Sequence, residues 1–302
     1  MSVLDGPRQE IRRVLFGGAP YWATPSGEGL LLADGRLVGV DEVIHLPPCS
    51  PSKIICLHLN YKSRFYELRG KRPADPSEYG TPTYFMKPVT SLNAHGGEIV
   101  RPDGYRYLNY EGEVAIVIGK ATRNINPDEA WDHMAGFACA LDMGLQDMRD
   151  TDAGSMLRVK GADGFCPIGP GIVSGVDIRQ QTLRTYRNGR LVQEGSLADE
   201  LIFGFDYLIA DLARHITLMP GDLVLTATPA NSRPLEVGDV IEVEVTGLGR
   251  LTNRIVSCPA PRAQVGHMPG SSAEVIRVAL GNDERLPHQL QRPSSDTPLE
   301  RT

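Results

Sequence analysis

The chain has 302 residues, 41% of them hydrophobic, and a formal net charge of −6. This length is enough for one large domain or two ordinary ones with a sizeable apolar core. Acidic and basic residues are interspersed, so the charge pattern argues against nucleic acid or an anionic membrane surface as a partner and leaves a small molecule as the expected one. No apolar run approaches the roughly 18 residues of a membrane span, and the N-terminus lacks the apolar centre of a signal peptide. We therefore expect a cytoplasmic protein.

The cysteines are odd in number, lie far apart and form no Cys-x-x-Cys pair; they are Cys49, Cys56, Cys139, Cys166 and Cys258. This spacing indicates neither a disulfide framework nor a thiolate zinc site. We interpret them as buried thiols that pack as small apolar groups.

Residues 1–50 contain short apolar runs separated by glycine-containing turns and end in a proline-rich stretch, which predicts a small β-rich N-terminal segment followed by a linker. Residues 51–257 form the body, in which strand-like runs begin near positions 53, 83, 114, 171, 183, 223 and 240. Helical patterns are few, at 127–139 and 205–216, and the polar segment 60–78 is predicted to be a lid or loop. The predicted fold is mainly β with a few helices, in the α+β class.

Local signals mark the start of the first of these helices and the end of the body. An asparagine cap, a proline and two acids at 126–129 predict a helix start, and the apolar end of that helix would lead to Asp142. From residue 258 to residue 302 the composition is rich in Pro, Ser, Arg and Gln, with one weak helical pattern at 272–280. This composition predicts a poorly ordered tail, to which no function is assigned.

Glu111 and Glu113 are separated by a single residue at the start of a β-branched run. Residues two apart on a strand share one face, so both carboxylates should point to the same place. Two like charges there repel each other unless a cation lies between them, and hard divalent cations prefer oxygen ligands. The pair therefore predicts a metal site; a solvent-facing strand edge with ordinary acids is the alternative interpretation.

A divalent site needs at least a third oxygen ligand, and Asp142, just past an apolar run, is suited to supply it. Further motifs follow one another along the chain. They are Leu59-Asn-Tyr61, Phe85-Met-Lys-Pro88, Tyr110-Glu-Gly-Glu113, Val117-Ile-Gly119, Asp142 with Asp147, Arg158-Val-Lys160, Cys166-Pro-Ile-Gly169, Met219-Pro-Gly-Asp222, Thr228-Pro229 and Val237-Gly-Asp239. In this order, over residues 54–256, they resemble the fumarylacetoacetate hydrolase family.

The resemblance implies a twisted, mixed β-roll, commonly dimeric, in which Mg²⁺ or Mn²⁺ is held at the positions of Glu111, Glu113 and Asp142. Mg²⁺ and Mn²⁺ both accept all-oxygen sites, so the sequence does not choose between them. Members of the family act on 2-oxo or enolised acids, where the cation grips the carboxylate and the adjacent oxygen and stabilises an enolate as a Lewis acid. The implied partners are a small 2-oxo acid substrate and a second copy of the chain.

Three further residues match functional positions of the family. Lys160 matches its active-site lysine, which could hold an enolate oxygen or the substrate carboxylate, and Lys87 resembles a second lysine near the site. Thr228 resembles a substrate-contacting threonine, although Ala227 stands where a glycine is usual, so the turn is expected to be altered. A solvated surface lysine and a plain Thr-Pro turn are the alternative interpretations of Lys160 and Thr228.

The segment after Asn60-Tyr61 departs from the family pattern. Many members carry a His and, three residues later, a Glu that position or activate water, whereas this chain has Arg64 and Glu67. Arginine stays protonated and is no general base, but it binds carboxylates well. Gln146 also replaces a usual arginine. His58 could supply an imidazole, although a packed core histidine is the alternative.

The motifs at 183–186, 188–189, 193–195 and 249–256 resemble most the isomerases and decarboxylases of homoprotocatechuate breakdown, which include 2-hydroxyhepta-2,4-diene-1,7-dioate isomerase. An isomerase needs no nucleophilic water, so the missing histidine favours isomerisation or decarboxylation of an unsaturated 2-oxo or 2-hydroxy dicarboxylic acid. In this hypothesis Lys160 stabilises the enolate, Arg64 binds the distal carboxylate and Glu67 carries the proton. The alternatives are an acylpyruvate-type C–C hydrolase and a metal-binding protein that has lost catalysis.

Overall fold

The computed structural model describes residues 2–152, 154–263, 265–286 and 290. These residues form 19 strands and six α-helices, so the prediction of a mainly β fold with few helices is confirmed. The strands are β1 Gln9–Phe16, β2 Ala19–Ser26, β3 Gly29–Leu32, β4 Leu37–Gly39, β5 Ile44–Leu46, β6 Ile54–Leu57, β7 Tyr84–Lys87, β8 Leu92–Ala94, β9 Glu98–Pro102, β10 Leu108–Asn109, β11 Gly112–Ile118, β12 Met134–Leu141, β13 Gly144–Leu145, β14 Cys166–Ser174, β15 Thr182–Arg187, β16 Arg190–Ser196, β17 Leu223–Leu225, β18 Val240–Val245 and β19 Gly249–Cys258.

The α-helices are short and connect the strands or lie beside them. They are α1 Lys62–Arg69, α2 Arg149–Asp152, α3 Leu157–Lys160, α4 Leu197–Glu200, α5 Phe205–Ala213 and α6 Ala273–Leu280. In α5 the buried side chains of Phe205, Leu208, Ile209 and Leu212 follow the spacing of one helix face, which explains why this segment was recognisable from the sequence. No helix among the described residues is long and apolar enough to cross a membrane.

A mixed sheet of 12 strands organises the molecule, with the main order β4-β3-β2-β1-β14-β12-β11-β17-β6-β7. The predicted N-terminal segment supplies β1 to β5, and β1 pairs antiparallel with β14. The N-terminal strands are therefore continuous with the sheet of the body. A second sheet of five strands has the order β16-β15-β18-β19-β9.

Side chains alternate between the two faces of β11. One face packs towards the five-stranded sheet, and the alternation also determines the direction in which the predicted metal ligands point. Val114, Ile116 and Ile118 pack into the large core that also contains side chains of β15, β18 and β19. Ala115 and Val117 face the other side, in a second apolar cluster with residues of β12 and β14. By the same period of two, Glu111 and Glu113 lie on that second side, away from the five-stranded sheet.

The structure corrects the helix predicted at 127–139. A 3-10 helix, Pro127–Asp132, begins where the cap signature placed it, with Asn126 and Glu129 forming a capping box. The chain then enters β12, which pairs with β11 and β14. Pairing between two buried strands outweighs the local helical pattern, so a strand and not a helix leads to Asp142.

Two predictions of irregular structure also need correction. The segment 60–78, predicted to be a lid or loop, contains α1 and the 3-10 helix Pro76–Tyr79. The described part of the predicted poorly ordered tail contains α6, which lies at the weak helical pattern of 272–280 and buries Val275, Val278 and Ala279. Residues 264, 287–289 and 291–302 of that tail lie outside the described residues.

Candidate active site

Glu111, Glu113 and Asp142 converge in the structure, with one oxygen of each lying within 4.8 Å of the others. Glu113 pairs across the sheet with Ala140, and Asp142 follows two residues later, just past the end of β12. The backbone N–H of Asp142 donates to the Glu111 carbonyl over 2.9 Å, which extends the ladder past the end of both strands. The period-two prediction of a shared carboxylate site is met by this geometry.

Ala227, in the turn after β17, contacts the carboxylate cluster through its backbone. Its backbone N–H donates to Glu113 Oε2 over 2.7 Å, and its φ of 69° is in the left-handed region that glycine usually occupies. The turn geometry expected of a glycine is therefore present here on an alanine, at a cost in backbone strain.

Two buried lysines surround Asp142. Lys160, at the end of α3, contacts Glu111 and lies 2.8 Å from Asp142 Oδ2. Lys87, at the end of β7, bonds Asp142 Oδ1 and donates to the Phe165 carbonyl over 2.9 Å. Both side chains are almost fully buried, so the interpretation of Lys160 as a solvated surface lysine is excluded.

The pKa values of Glu113 and Asp142 in this cluster are shifted in opposite directions. Burial raises the pKa of Glu113 well above its usual value, and the charges of Asp142 and Glu111 raise it further. Burial also disfavours ionised Asp142, but the ammonium groups of Lys160 and Lys87 outweigh it and lower the pKa of that carboxyl. Lys160 itself has a raised pKa, because Asp142 and Glu111 overcome the effect of its burial.

The donor set suits a hard divalent cation. All three groups offer carboxylate oxygen, and neither sulfur nor imidazole belongs to the cluster. A cation between the carboxylates would relieve the repulsion that raises the pKa of Glu113. The residues therefore fit a divalent metal of the Mg²⁺ or Mn²⁺ type.

A cavity of about 350 Å³ opens onto Glu111, Asp142 and Lys160. This volume is in the range of small-molecule sites. Its charged lining residues are Arg64, Arg69, Glu111, Asp142, Arg149, Lys160, Glu274 and Arg277. Cationic side chains outnumber acids in this lining, so the cavity suits an anionic ligand even before a metal is counted.

Arg64 lines the cavity, but Glu67 does not. Arg64 donates to Glu67 over 2.5 Å, and its other terminal nitrogen lies 3.6 Å from Glu111 Oε1. Glu67 is also held by Arg233 at 2.7 Å and by the backbone N–H of Asn231 at 3.1 Å. Glu67 is thus a buried counter-ion that orients Arg64 towards Glu111 of the carboxylate cluster.

Thr228 lines the same cavity and is fixed from behind. Its Oγ1 accepts a hydrogen bond from Gln193 Nε2 over 2.9 Å, and the Gln193 side-chain oxygen accepts from the Gly112 N–H over 3.1 Å. Buried Gln193 therefore connects Thr228 to the strand that carries the predicted metal ligands. Sequence reasoning noted Gln193 only as part of a subgroup motif.

His58 lines the cavity and is half-buried. Its Nδ1 lies 3.1 Å from the Thr83 carbonyl, which fixes Nδ1 as the donor of the neutral ring and leaves Nε2 as an acceptor. No described residue pairs with Nε2. Burial lowers the pKa of His58, and the positive charge of Lys160 lowers it further despite the hydrogen bond to Thr83.

The C-terminal segment supplies cavity residues that the sequence interpretation missed. Glu274, Arg277 and Val278 of α6 line the cavity together with Arg149. The only signal for α6 in the sequence was a weak helical pattern, capped in the structure by Ser272, whose Oγ accepts from the Val275 N–H over 3.2 Å. Its position over the site follows from contacts distant in the sequence.

A larger cavity of about 1010 Å³ lies between β16 and the C-terminal segment. Its lining includes Glu67 and several arginines but none of the three metal-type carboxylates. We therefore place the chemistry in the smaller cavity, where the perturbed carboxylates and lysine lie.

Comparison with known proteins agrees with the fold. Residues 53–256 match the family described as fumarylacetoacetate (FAA) hydrolase C-terminal. The chain is 37% identical over 248 residues to the 4-hydroxyphenylacetate degradation bifunctional isomerase/decarboxylase of Escherichia coli, covering 81% of this chain and 55% of that protein. The crystal structure of 5-carboxymethyl-2-hydroxymuconate delta-isomerase from Mycobacterium smegmatis has a TM-score of 0.73 at 30% identity, covering 82% of this chain and 99% of the other.

The fumarylacetoacetate hydrolase from the psychrophilic Exiguobacterium antarcticum is similar too, with a TM-score of 0.74 at 26% identity over 83% of this chain and 100% of that one. Fold and site together define a carboxylate-centred β domain. The chain belongs to the fumarylacetoacetate hydrolase family, as its motifs predicted. It spans about half the length of the bifunctional relatives it matches.

Proposed function

We propose that the protein is a Mg²⁺- or Mn²⁺-dependent isomerase or decarboxylase of an unsaturated 2-oxo or 2-hydroxy dicarboxylic acid in the catabolism of aromatic compounds. The convergence of Glu111, Glu113 and Asp142 beside buried Lys160, at the base of a cation-rich cavity, is the observation that carries the proposal. The similarity to an isomerase/decarboxylase and to an isomerase structure supports the reaction class.

The three carboxylates would hold the metal, which when bound supplies a Lewis acid for the carboxylate and adjacent oxygen of a 2-oxo acid. Lys160 lies against two of the three ligands, so its ammonium group is placed to stabilise negative charge that develops on the substrate oxygen. Lys87 contacts Asp142 from the protein interior and does not line the cavity. Its role in the proposal is to orient Asp142.

The sequence suggested Glu67 as the proton carrier, but its position favours another residue. Two arginines hold Glu67 ionised, and it lies outside the cavity lining. His58 lines the cavity, its Nε2 is an acceptor, and its lowered pKa keeps the ring neutral near neutral pH. We assign proton transfer between substrate carbons to His58.

Arg64 was expected to bind the distal carboxylate of the substrate. Its guanidinium lies 3.6 Å from Glu111, at the metal end of the cavity. We therefore assign Arg64 to the substrate carboxylate next to the 2-oxo group, and Thr228 to a hydrogen bond with the bound substrate.

Product analysis tests the reaction class. The protein is mixed with 2-hydroxyhepta-2,4-dienedioate, with a substituted diacid that has a carboxyl group to lose and with a diketo acid, each in the presence of Mg²⁺ or Mn²⁺. We expect loss of the conjugated ultraviolet chromophore and a product of unchanged mass, or one lighter by CO₂. A pair of smaller carboxylic acids from a diketo acid would indicate the C–C hydrolase instead, and no turnover of any of these acids would favour a non-catalytic metal-binding protein.

The resemblance to the family also leads us to propose a cytoplasmic homodimer. Light scattering of the purified protein tests the dimer, and a mass equal to a single chain would contradict it.

A further inference from the structure

Helix α6 contributes to the candidate active site although it lies beyond residues 53–256, which match the family. Val278 lines the cavity and is 4% exposed, while Val275 and Ala279 on the same face are fully buried. The helix therefore closes one side of the cavity.

Polar contacts hold this segment against the elements that build the site. Asn109, two residues before Glu111, donates to the Ala279 carbonyl over 2.9 Å. Just before the helix, the Gly270 N–H donates to the Asp147 carbonyl over 2.9 Å, and Ser272 Oγ donates to Asp150 over 2.8 Å. These bonds fix α6 next to both the metal-ligand strand and the segment that carries Arg149.

Two arginines from different elements meet one carboxylate at the cavity wall. Arg277 donates to both oxygens of Glu274, over 2.8 and 2.9 Å. Arg149, from α2, lies 3.5 Å from the same carboxylate. Both arginines and Glu274 line the cavity, so this group forms a carboxylate-binding site that is occupied by the protein's own side chain.

The ion pair between Arg277 and Glu274 can be replaced at little cost. The side chains of Glu274 and Arg277 are 48% and 51% exposed, and ion pairs as exposed as these contribute little to stability. The distal carboxylate of a ligand whose other end is held at the carboxylate centre can compete with Glu274, because its contact with the arginines is then intramolecular, as that of Glu274 is. Arg277 is further placed by its hydrogen bond to the Leu68 carbonyl at 3.3 Å.

We propose that Arg149 and Arg277 bind the distal carboxylate of the substrate in exchange for Glu274, so that α6 selects dicarboxylic over monocarboxylic 2-oxo acids. This inference rests on the proposed function, since it takes the 2-oxo end of the ligand to lie at the carboxylate centre. It also explains how a distal charge is recognised when Arg64 lies at the metal end.

Binding of two matched ligands tests the proposal. 2-Oxoadipate and 2-oxohexanoate have equal chain length and differ in the terminal carboxylate, and calorimetry with Mg²⁺ gives the affinity of each. We expect the intact protein to prefer 2-oxoadipate by roughly tenfold, as charge-assisted hydrogen bonds typically allow. Arg277→Gln and Arg149→Gln should abolish this preference, and Glu274→Gln should increase it.

Arg214→Gln is the matched control, because Arg214 also pairs with an acid three residues earlier on a helix, Asp211, but lies outside the cavity. This variant should keep the preference of the intact protein. Binding of both ligands with a ratio unchanged in the arginine variants would overturn the inference alone. Failure of both ligands to bind the intact protein with Mg²⁺ would contradict the proposed function and the inference with it.

Discussion

At the scale of single residues, the surroundings of His58 favour the neutral ring that its proposed role in proton transfer requires. Its Nδ1 is held by the Thr83 carbonyl, and burial together with the charge of Lys160 lowers its pKa from 6.5. We expect His58→Gln to lower kcat by roughly 100-fold with little change in KM, because general acid–base groups typically contribute at least that factor. Steady-state kinetics measures this, with the exposed His215→Gln as control.

The proposed role of His58 also predicts how kcat depends on pH. His58 accepts a proton only when neutral, so kcat should fall as the pH drops through the folded pKa of His58, which is below 6.5. Above that pKa the acceptor is fully available. An acidic limb that persists unchanged in His58→Gln, or a kcat equal to that of the intact protein, would contradict the assignment.

Glu67 stabilises the fold as well as orienting Arg64, and its contribution to stability can be measured without turnover. Burial raises the pKa of Glu67, but the guanidinium groups of Arg64 and Arg233 outweigh it, so the pKa lies below 4.5. Glu67→Gln removes the buried carboxylate that Arg64 and Arg233 share, and we expect it to lower the free energy of unfolding near neutral pH by about 3 kcal/mol. Urea denaturation measures this loss.

Linkage fixes how that loss depends on pH. A carboxyl with a lowered folded pKa stabilises the protein above its unfolded pKa, near 4.5, and this stabilisation is lost as the pH falls through the folded value. The difference between the intact protein and Glu67→Gln should therefore narrow below pH 4.5. A difference that widens on acidification, or one matched by the exposed Glu78→Gln, would show that the ion pairs do not stabilise the fold.

At the scale of elements, the turn after β17 holds a strained alanine against a predicted metal ligand, Glu113. Ala227 has a φ of 69° and bonds Glu113. Ala227→Gly keeps that N–H and removes the steric strain, so we expect a gain of about 1 kcal/mol in the free energy of unfolding. Ala230 has no positive φ, and Ala230→Gly should cost about 0.5–1 kcal/mol. Equal changes in the two variants, measured by denaturant unfolding, would refute the strain.

The elements that the sequence predicted well are those set by local patterns. Period two placed Glu111 and Glu113 on one face, and the cap at Asn126 marked a helix start. The predicted length of that helix was wrong because the following residues form β12, which pairs with β11 and β14. No local pattern reveals this pairing. Tertiary pairing of this kind overrides short-range propensity.

The candidate site was only partly predictable for the same reason. The metal-type acids lie close together in sequence or follow family motifs, so they could be named in advance. The roles of His58 and Glu67 depended on which side of α1 and β6 faces the cavity. The contribution of α6 depended on bonds such as that from Asn109 to Ala279, 170 residues apart.

At the scale of the whole molecule, metal binding should stabilise the fold. Buried Glu113 and Asp142 are brought together by β11 and β12, and a cation that binds only the folded chain stabilises it by mass action, by about 2.7 kcal/mol at 100 times Kd. We expect Mg²⁺ to raise Tm by several degrees and EDTA to reverse the rise. Calorimetry should show no such shift in Glu113→Gln, and an equal shift in that variant would place the metal elsewhere.

Proton exchange at the carbon next to the 2-oxo group tests the central claim most directly. In D₂O, NMR follows loss of the C3 protons of 2-oxoadipate, which requires enolisation but neither hydrolysis nor release of CO₂. Glu113→Gln is the matched variant, because its amide oxygen can still accept from the Ala227 N–H, and the exposed Glu28→Gln is the control. We predict exchange that requires Mg²⁺ or Mn²⁺, is retained in Glu28→Gln and is lost in Glu113→Gln. Exchange that proceeds equally without metal, or equally in Glu113→Gln, would contradict a catalytic carboxylate centre at these residues.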